Sequence, residues 1–146
     1  MSARTEMAVT KFLSGYNCAQ SVLYAFRDEL DLDEDLALKI ATGFGAGMGR
    51  KQEVCGALTG GILVLSLQHG RDSKQDRSAT EQTYQQVRKL MDQFAAKHGS
   101  CLCRQLLQGT DLSTREGQQF VKENDFLNQV CKPCVQSVVE LLEQMN

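Results

Sequence analysis

The spacing of hydrophobic residues along this chain is typical of α-helices throughout. Apolar side chains recur every three or four positions, as in Val22, Leu23 and Phe26, or in Val135 and Val138. This spacing places them on one face of a helix. No segment shows the sustained alternation of apolar and polar residues that a half-buried strand requires. The pattern predicts an all-α, single-domain bundle of about seven to eight helices.

Capping residues and glycines predict where these helices begin and end. Asn17 and Asp33 are suitable N-caps, and Gly70 and Gly99 follow apolar periodic segments as helix-ending glycines do. In the first helix we expect Leu13 to point inward. The predicted helices cover residues 5–13, 18–30, 34–42, 53–68, 76–97, 100–109, 113–126 and 130–144.

The fourth predicted helix, near residues 54–68, is apolar on nearly all sides. Such a helix belongs at the centre of the bundle. Its Gly56 and Gly60 form a small-xxx-small face, which allows another backbone to approach closely, either within the chain or in a homo-oligomer. A turn with glycine at alternate positions, residues 43–49, precedes it and requires unusual backbone dihedrals or close packing.

Length and charge limit the classes of function. The chain has 146 residues, of which 42% are hydrophobic, so we expect one globular domain over residues 1–146. Its net charge of −2 includes no basic run, and we expect neither a nucleic-acid partner nor a membrane. Residues 1–6 lack a secretory pattern, and the apolar run 54–67 is too short to cross a bilayer. We therefore expect a cytoplasmic protein.

Six cysteines are the unusual feature of the composition. In a reducing compartment, clustered thiols are more often catalytic, redox-sensing or metal-binding than joined in permanent disulfides. The predicted helices place Cys18, Cys55, Cys103 and Cys131 each in a first turn. Free N–H groups and the helix dipole at that position favour the thiolate, so we expect lowered pKa values.

Four convergent thiolates would suit either dithiol/disulfide exchange or ligation of zinc or an iron–sulfur cluster. The simpler alternative is that each cysteine is a small buried hydrophobic residue. Cys131 and Cys134 also form a C-x-x-C motif, whose spacing permits a disulfide or two metal ligands. Arg50 and Lys51 precede Cys55 and either stabilise its thiolate or lie in a solvated loop.

Four segments together resemble a known family. They are residues 15–22 around Cys18, residues 43–49 leading into 55–60 (Cys-Gly-Ala-Leu-Thr-Gly), residues 103–107, and Cys131. In this order they are similar to the family of redox-active proteins defined by the pattern C_GCAxxG_C_C. The resemblance implies a four-cysteine redox domain with Cys18, Cys55, Cys103 and Cys131 as the family cysteines. On this basis Cys101 and Cys134 are additions.

Our first hypothesis is an oxidoreductase or electron-transfer protein with an unknown redox partner. Cys18, Cys55, Cys103 and Cys131 would be its catalytic thiols or the ligands of an iron–sulfur cluster or zinc. Four ligands slightly favour a bound centre, because disulfide exchange needs only two thiols. The alternative, from a different class, is a non-enzymatic helical interaction module with a structural zinc or plain buried thiols.

Overall fold

The computed structural model of the protein describes residues 1–145. This part of the chain is an all-α bundle without a β-strand, as predicted, and none of its helices is long and apolar enough to cross a membrane. The helices are α1 (Ala3–Leu13), α2 (Cys18–Ala25), α3 (Glu34–Ala41), a 3-10 turn (Thr42–Phe44), α4 (Gly45–Met48), α5 (Gly56–His69), α6 (Ser78–His98), α7 (Cys103–Leu106), α8 (Arg115–Glu123), a π-helical turn (Leu127–Cys131) and α9 (Lys132–Met145).

The predicted central helix is α5. It packs against α2, α6 and α9, and its residues from Gly56 to Gly61 are all buried. A Cβ on Gly60 would lie 2.7 Å from the carbonyl oxygen of Ala19, so α2 crosses α5 at the small-xxx-small face. Gly61 likewise leaves room for Val138 of α9, whose Cγ1 would lie 2.8 Å from a Cβ at position 61. The close approach that the sequence predicted is therefore used inside the chain.

Some helix faces differ from the predictions. Helix α1 buries Ala8, Val9 and Phe12, whereas Leu13 is 56% exposed. Successive residues of a helix point about 100° apart, so a face centred on Ala8 and Phe12 turns Leu13 away from α2 and α9. Helix α2 also ends earlier than predicted, at Ala25, and turns connect it to α3.

The glycine-rich segment forms a left-handed helical turn. Residues from Ala46 to Arg50 all have positive φ, and the Gly49 N–H donates to the Gly45 carbonyl at 2.9 Å. Side chains with a Cβ rarely adopt this conformation, because the Cβ approaches the following carbonyl. Glycine at positions 47 and 49 removes that penalty at two of the five residues. The turn therefore accounts for Gly47 and Gly49 but not for Gly43 and Gly45, whose φ is not positive.

The C-terminal helix begins before the predicted start. The π-helical turn Leu127–Cys131 continues directly into α9, so Cys131 lies within a continuous helical segment. The prediction that Cys131 occupies a helix N-terminus was wrong. Pro133 removes one backbone donor from this segment, and π-helical hydrogen bonding, which is rare, occurs mostly as a single turn within a longer helix, as it does here.

Candidate thiol site

Five of the six cysteines line one cavity of about 290 Å³. Four of them are the cysteines singled out from the sequence, and the fifth is Cys134. They come from α2, the start of α5, the start of α7 and the C-terminal helical segment. We call this cavity the cysteine cavity; its cysteines are Cys18, Cys55, Cys103, Cys131 and Cys134.

The first turn of α2 holds Cys18 at the cavity. Asn17 and Gln20 form a capping box: the Asn17 side chain accepts from the Gln20 N–H, and the Gln20 side chain accepts from the Asn17 N–H. The Asn17 amide also donates to the Thr42 carbonyl at 3.0 Å, which ties this end of α2 to the 3-10 turn. A Cβ on Gly56 would lie 3.2 Å from the Cys18 sulfur, so the glycine leaves room for this thiol against α5.

Two short extended segments bring Cys55 and Cys103 together. Val54 and Leu102 form an isolated antiparallel bridge. The Cys55 N–H donates to the Cys101 carbonyl at 2.8 Å, and the Cys103 N–H donates to the Glu53 carbonyl at 2.7 Å. Cys55 is then the N-cap of α5, and Cys103 is the first residue of α7. The pairing therefore aligns two helix starts that are far apart in the sequence.

The left-handed turn packs directly behind Cys103. Gly47 has φ +66°, and a Cβ there would lie 2.8 Å from the Cys103 Cβ and 2.5 Å from the Gln52 Cα. Ala46, in the same turn, lines the cysteine cavity. The glycines before Cys55 thus provide space for the neighbouring cysteine as well as a turn.

Cys134 belongs to the site, although the family resemblance set it apart. Its side chain is 1% exposed, and its thiol faces Cys55 closely enough to be the largest influence on the Cys55 pKa. Cys131 and Cys134 are three residues apart in one helical segment and so share a face. The C-x-x-C spacing was the feature of the sequence that pointed to Cys134. Cys101 does not line the cavity; its thiol donates to the Met91 carbonyl at 3.4 Å.

Sequence reasoning missed Gln52. Its side chain is 2% exposed, donates to the Thr110 carbonyl at 2.6 Å and accepts from the Leu112 N–H at 2.8 Å. These bonds hold the loop after α7, and Leu112 of that loop lines the cysteine cavity. A glutamine within a run of charged residues gave no indication of this role.

Residues 16–145 match the family model described as "Putative redox-active protein (C_GCAxxG_C_C)". The chain belongs to this family. No curated protein and no solved structure matches the chain. The match confirms the resemblance, and the family description supports a redox-active protein.

In this C_GCAxxG_C_C protein Cys18, Cys55, Cys103 and Cys131 are shifted toward the protonated form. Burial raises the pKa of Cys18 to about 12 and that of Cys103 to about 12. The Cys134 thiol, followed by burial, holds the pKa of Cys55 well above its ordinary value. Burial, followed by the neighbouring thiols Cys18, Cys55 and Cys103, likewise raises the pKa of Cys131. The expectation of lowered pKa values was wrong, because desolvation outweighs the helix-terminal N–H groups.

Backbone donors nevertheless face the sulfurs. The N–H groups of Ala46 and Ala57 lie at Cys18, and those of Ala57 and Leu58 lie at Cys55, where they lower the thiol pKa. Their effect is smaller than that of burial, but they would stabilise negative charge on these two sulfurs if the protons left.

The basic residues before Cys55 do not line the cysteine cavity. Arg50 and Lys51 are exposed and border a separate polar pocket, so the solvated-loop interpretation is correct. The cation that acts on a cavity thiol is Arg104, which lowers the pKa of Cys103 against the larger effect of burial.

All six cysteines are free thiols in this structure. An all-sulfur donor set has the chemistry that zinc or an iron–sulfur cluster prefers. Within residues 1–145, however, no three His, Cys, Asp or Glu side chains are arranged as a group that could hold a metal ion. The donor type fits such a centre, whereas the arrangement of the thiols does not.

Proposed function

We propose that the protein is a redox protein whose cavity thiols cycle between dithiol and disulfide, with Cys55 and Cys134 as the reacting pair. The observation that carries this proposal is that Cys55 and Cys134 line the same cavity, with the Cys134 thiol near enough to raise the pKa of Cys55 more than burial does. A disulfide requires two sulfurs that can meet without rearrangement of the backbone. The family description supports the coarser redox role.

The reaction is a two-electron exchange. The S–H bonds of Cys55 and Cys134 break, one S–S bond forms, and two electrons and two protons pass to an acceptor, which is an organic disulfide or a quinone. The reverse reaction returns both protons to the sulfurs. In a reducing compartment such as the cytoplasm, the resting state would be the dithiol.

Burial of both thiols and the raised pKa of Cys55 suit a protected thiol pair. A thiolate is the nucleophile in disulfide exchange, and raised pKa values keep its concentration low at neutral pH. The pair would therefore react slowly with charged oxidants in bulk water. An acceptor that enters the cysteine cavity would react preferentially, because it reaches both sulfurs at once.

A second candidate is a thiolate-bound centre, zinc or an iron–sulfur cluster, held by Cys18, Cys55, Cys103 and Cys131. The N–H groups of Ala46, Ala57 and Leu58 that face Cys18 and Cys55 favour it, because such donors stabilise ligating sulfurs. An iron–sulfur cluster would supply one-electron transfer, and zinc would stabilise the fold. Binding would require these four side chains to move together and lose their protons.

Anaerobic purification distinguishes the candidates. We would measure iron, sulfide and zinc, record the visible spectrum, and count accessible thiols before and after oxidation by an organic disulfide. The proposal predicts protein without stoichiometric metal whose oxidation removes two thiols, which a dithiol reductant restores. Cys134→Ala should abolish this loss, and Cys101→Ala is the matched control, because Cys101 lies outside the cavity lining.

The other outcomes have defined meanings. Stoichiometric iron and sulfide with visible charge-transfer bands would overturn the dithiol proposal in favour of the cluster. Stoichiometric zinc would favour a structural site in an interaction module. Metal-free protein with six unreactive thiols would contradict both candidates and leave plain buried cysteines.

A further inference from the structure

The walls of the cysteine cavity carry no charge. Among the residues that the structure describes, those lining it are the five cysteines, small residues, apolar side chains, and the polar but uncharged Tyr16 and Asn17. The apolar walls include Phe12, Leu106, Leu112, Val121 and Val130. A charged ligand would lose its hydration here without gaining an ionic partner. The cavity therefore selects an uncharged molecule.

The cavity has a floor and a mouth. Cys55 and Cys134 are 7% and 1% exposed, which places the reacting pair on the floor. Tyr16 and Leu127 line the same cavity but are 38% and 51% exposed, so they mark its mouth. A ligand that enters between the loop before α2 and the π-helical turn would reach the thiol pair.

The volume indicates the size of the ligand. The cavity measures about 290 Å³, whereas an apolar cavity of about 150 Å³ is sufficient to bind benzene. The cysteine cavity thus has room for about two fused six-membered rings. A peptide or a large charged cofactor exceeds this space.

We propose that the cysteine cavity binds an uncharged two-ring aromatic molecule, and that its redox substrate is a quinone of naphthoquinone size. The proposal that this ligand binds depends only on the uncharged walls and the volume of the cysteine cavity. The electron-transfer step rests on the proposed dithiol function. The two parts can therefore be tested separately.

In the proposed step two electrons and two protons pass from the cavity thiols to the quinone. Cys55 and Cys134 each give up a proton and together two electrons, and an S–S bond forms between them. The quinone receives both electrons, and its two carbonyl oxygens each receive one proton to give the hydroquinone. The product is also uncharged, so it can leave by the same apolar mouth.

Binding is tested with ligands that cannot be reduced. Calorimetric titration of the protein with naphthalene and with naphthalenesulfonate compares two ring systems that differ by one charge. We expect naphthalene to bind at least about tenfold more tightly, because the sulfonate loses hydration without an ionic partner. Equal affinities, or no binding of naphthalene, would overturn the proposed ligand class.

A substitution at the mouth provides a second test. Leu127→Lys places a cation beside the entrance, and it should reduce the preference for naphthalene over the sulfonate to under about threefold. Leu67 is 52% exposed in α5 and does not line the cavity, so Leu67→Lys is a matched control. Both residues are exposed enough for lysine to leave the fold intact. An equal effect of both substitutions would contradict the placement of the mouth.

The electron-transfer part of the proposal is tested with dimethylnaphthoquinone, whose methyl groups block addition of thiols to the ring. Under anaerobic conditions one equivalent should oxidise two thiols in the wild type and form one hydroquinone, whereas Cys134→Ala should form none. Naphthalene should slow the reaction by competition. If naphthalene binds but the quinone is not reduced, the dithiol function fails while the ligand class stands.

Discussion

At the scale of single residues, the environment of each sulfur determines its protonation. Helix starts were expected to yield thiolates, yet the buried thiols are held in the neutral form. Burial dominates because the cavity walls are apolar, and the few N–H donors offset only part of the desolvation. The thiols are therefore protected from polar reagents and depend on what enters the cavity.

The raised pKa of Cys18 predicts a dependence of stability on pH. Its pKa rises from an ordinary 9.0 to about 12 on folding. Above pH 9 the unfolded chain loses the Cys18 proton while the folded protein retains it, so the stabilisation is complete below pH 9 and is lost as pH rises toward 12. Chemical denaturation from pH 8 upward should show a free energy of unfolding to which this one thiol adds no slope below pH 9 and a fall of about 1.4 kcal/mol per pH unit between pH 9 and 12.

The control for this prediction is Cys18→Ala. Its stability should decline less steeply above pH 9 than that of the wild type, because one titrating group has been removed. Identical slopes for the two proteins would show that Cys18 does not have a raised pKa in the folded state.

The left-handed turn leads to an unusual prediction for Met48. This residue has φ +70°, which costs a residue with a Cβ about 1–2 kcal/mol. Its side chain is 38% exposed, so little packing is lost on removal. Met48→Gly should therefore raise the free energy of unfolding by about 1 kcal/mol in denaturant titrations.

Met7 is the matched control for that substitution. It is 37% exposed and lies inside α1, where glycine is unfavourable. Met7→Gly should lower the free energy of unfolding by about 1 kcal/mol. If both substitutions destabilise the protein equally, residues 46–50 do not form a left-handed turn in solution.

At the scale of elements, the contact between α2 and α5 positions the first two cysteines. A Cβ on Gly60 would meet backbone atoms of Ala19 at 2.7 and 3.0 Å, and these atoms cannot move without displacing α2. Gly60→Ala should lower the free energy of unfolding by about 1–3 kcal/mol despite the better helix propensity of alanine. Gly43→Ala is the control, since nothing lies within 4 Å and its φ is not positive. A neutral Gly60→Ala would contradict the close crossing.

The sequence predicted much of this arrangement, for identifiable reasons. Caps at Asn17 and Asp33, the apolar helix α5, and the Gly56/Gly60 face are local signals, and all appear in the structure. Apolar periodicity does not give the rotation of a helix in the bundle. It therefore failed for residues at the edge of a face, such as Leu13.

Parts of the site depend on contacts between distant segments, and the sequence could not predict these. The bridge between Val54 and Leu102 aligns Cys55 with Cys103 through backbone hydrogen bonds that any side chains would allow. Gln52 is buried because the loop after α7 folds over it. The direction of the thiol pKa shifts could not be predicted either. It depends on how deeply each thiol is buried, and position in a helix does not reveal burial.

At the scale of the whole molecule, the bundle encloses thiols from both ends of the chain in one apolar space. A disulfide between Cys55 and Cys134 would close a loop of about 80 residues, which the chain-entropy model associates with stabilisation of about 4.5 kcal/mol. The oxidised protein should therefore require more denaturant to unfold than the reduced protein. Cys134→Ala should show no difference between oxidising and reducing conditions, and a less stable oxidised wild type would contradict the proposed pair.

The most direct test of the dithiol proposal is mass spectrometric mapping of the thiols after anaerobic equilibration in buffers of graded redox potential. Rapid alkylation at each potential distinguishes free from oxidised cysteines. We predict that Cys55 and Cys134 become oxidised together, with one midpoint and one linking disulfide peptide, while Cys101 stays free. Oxidation of Cys55 without Cys134, or a disulfide that joins other cysteines, would contradict the proposed redox pair.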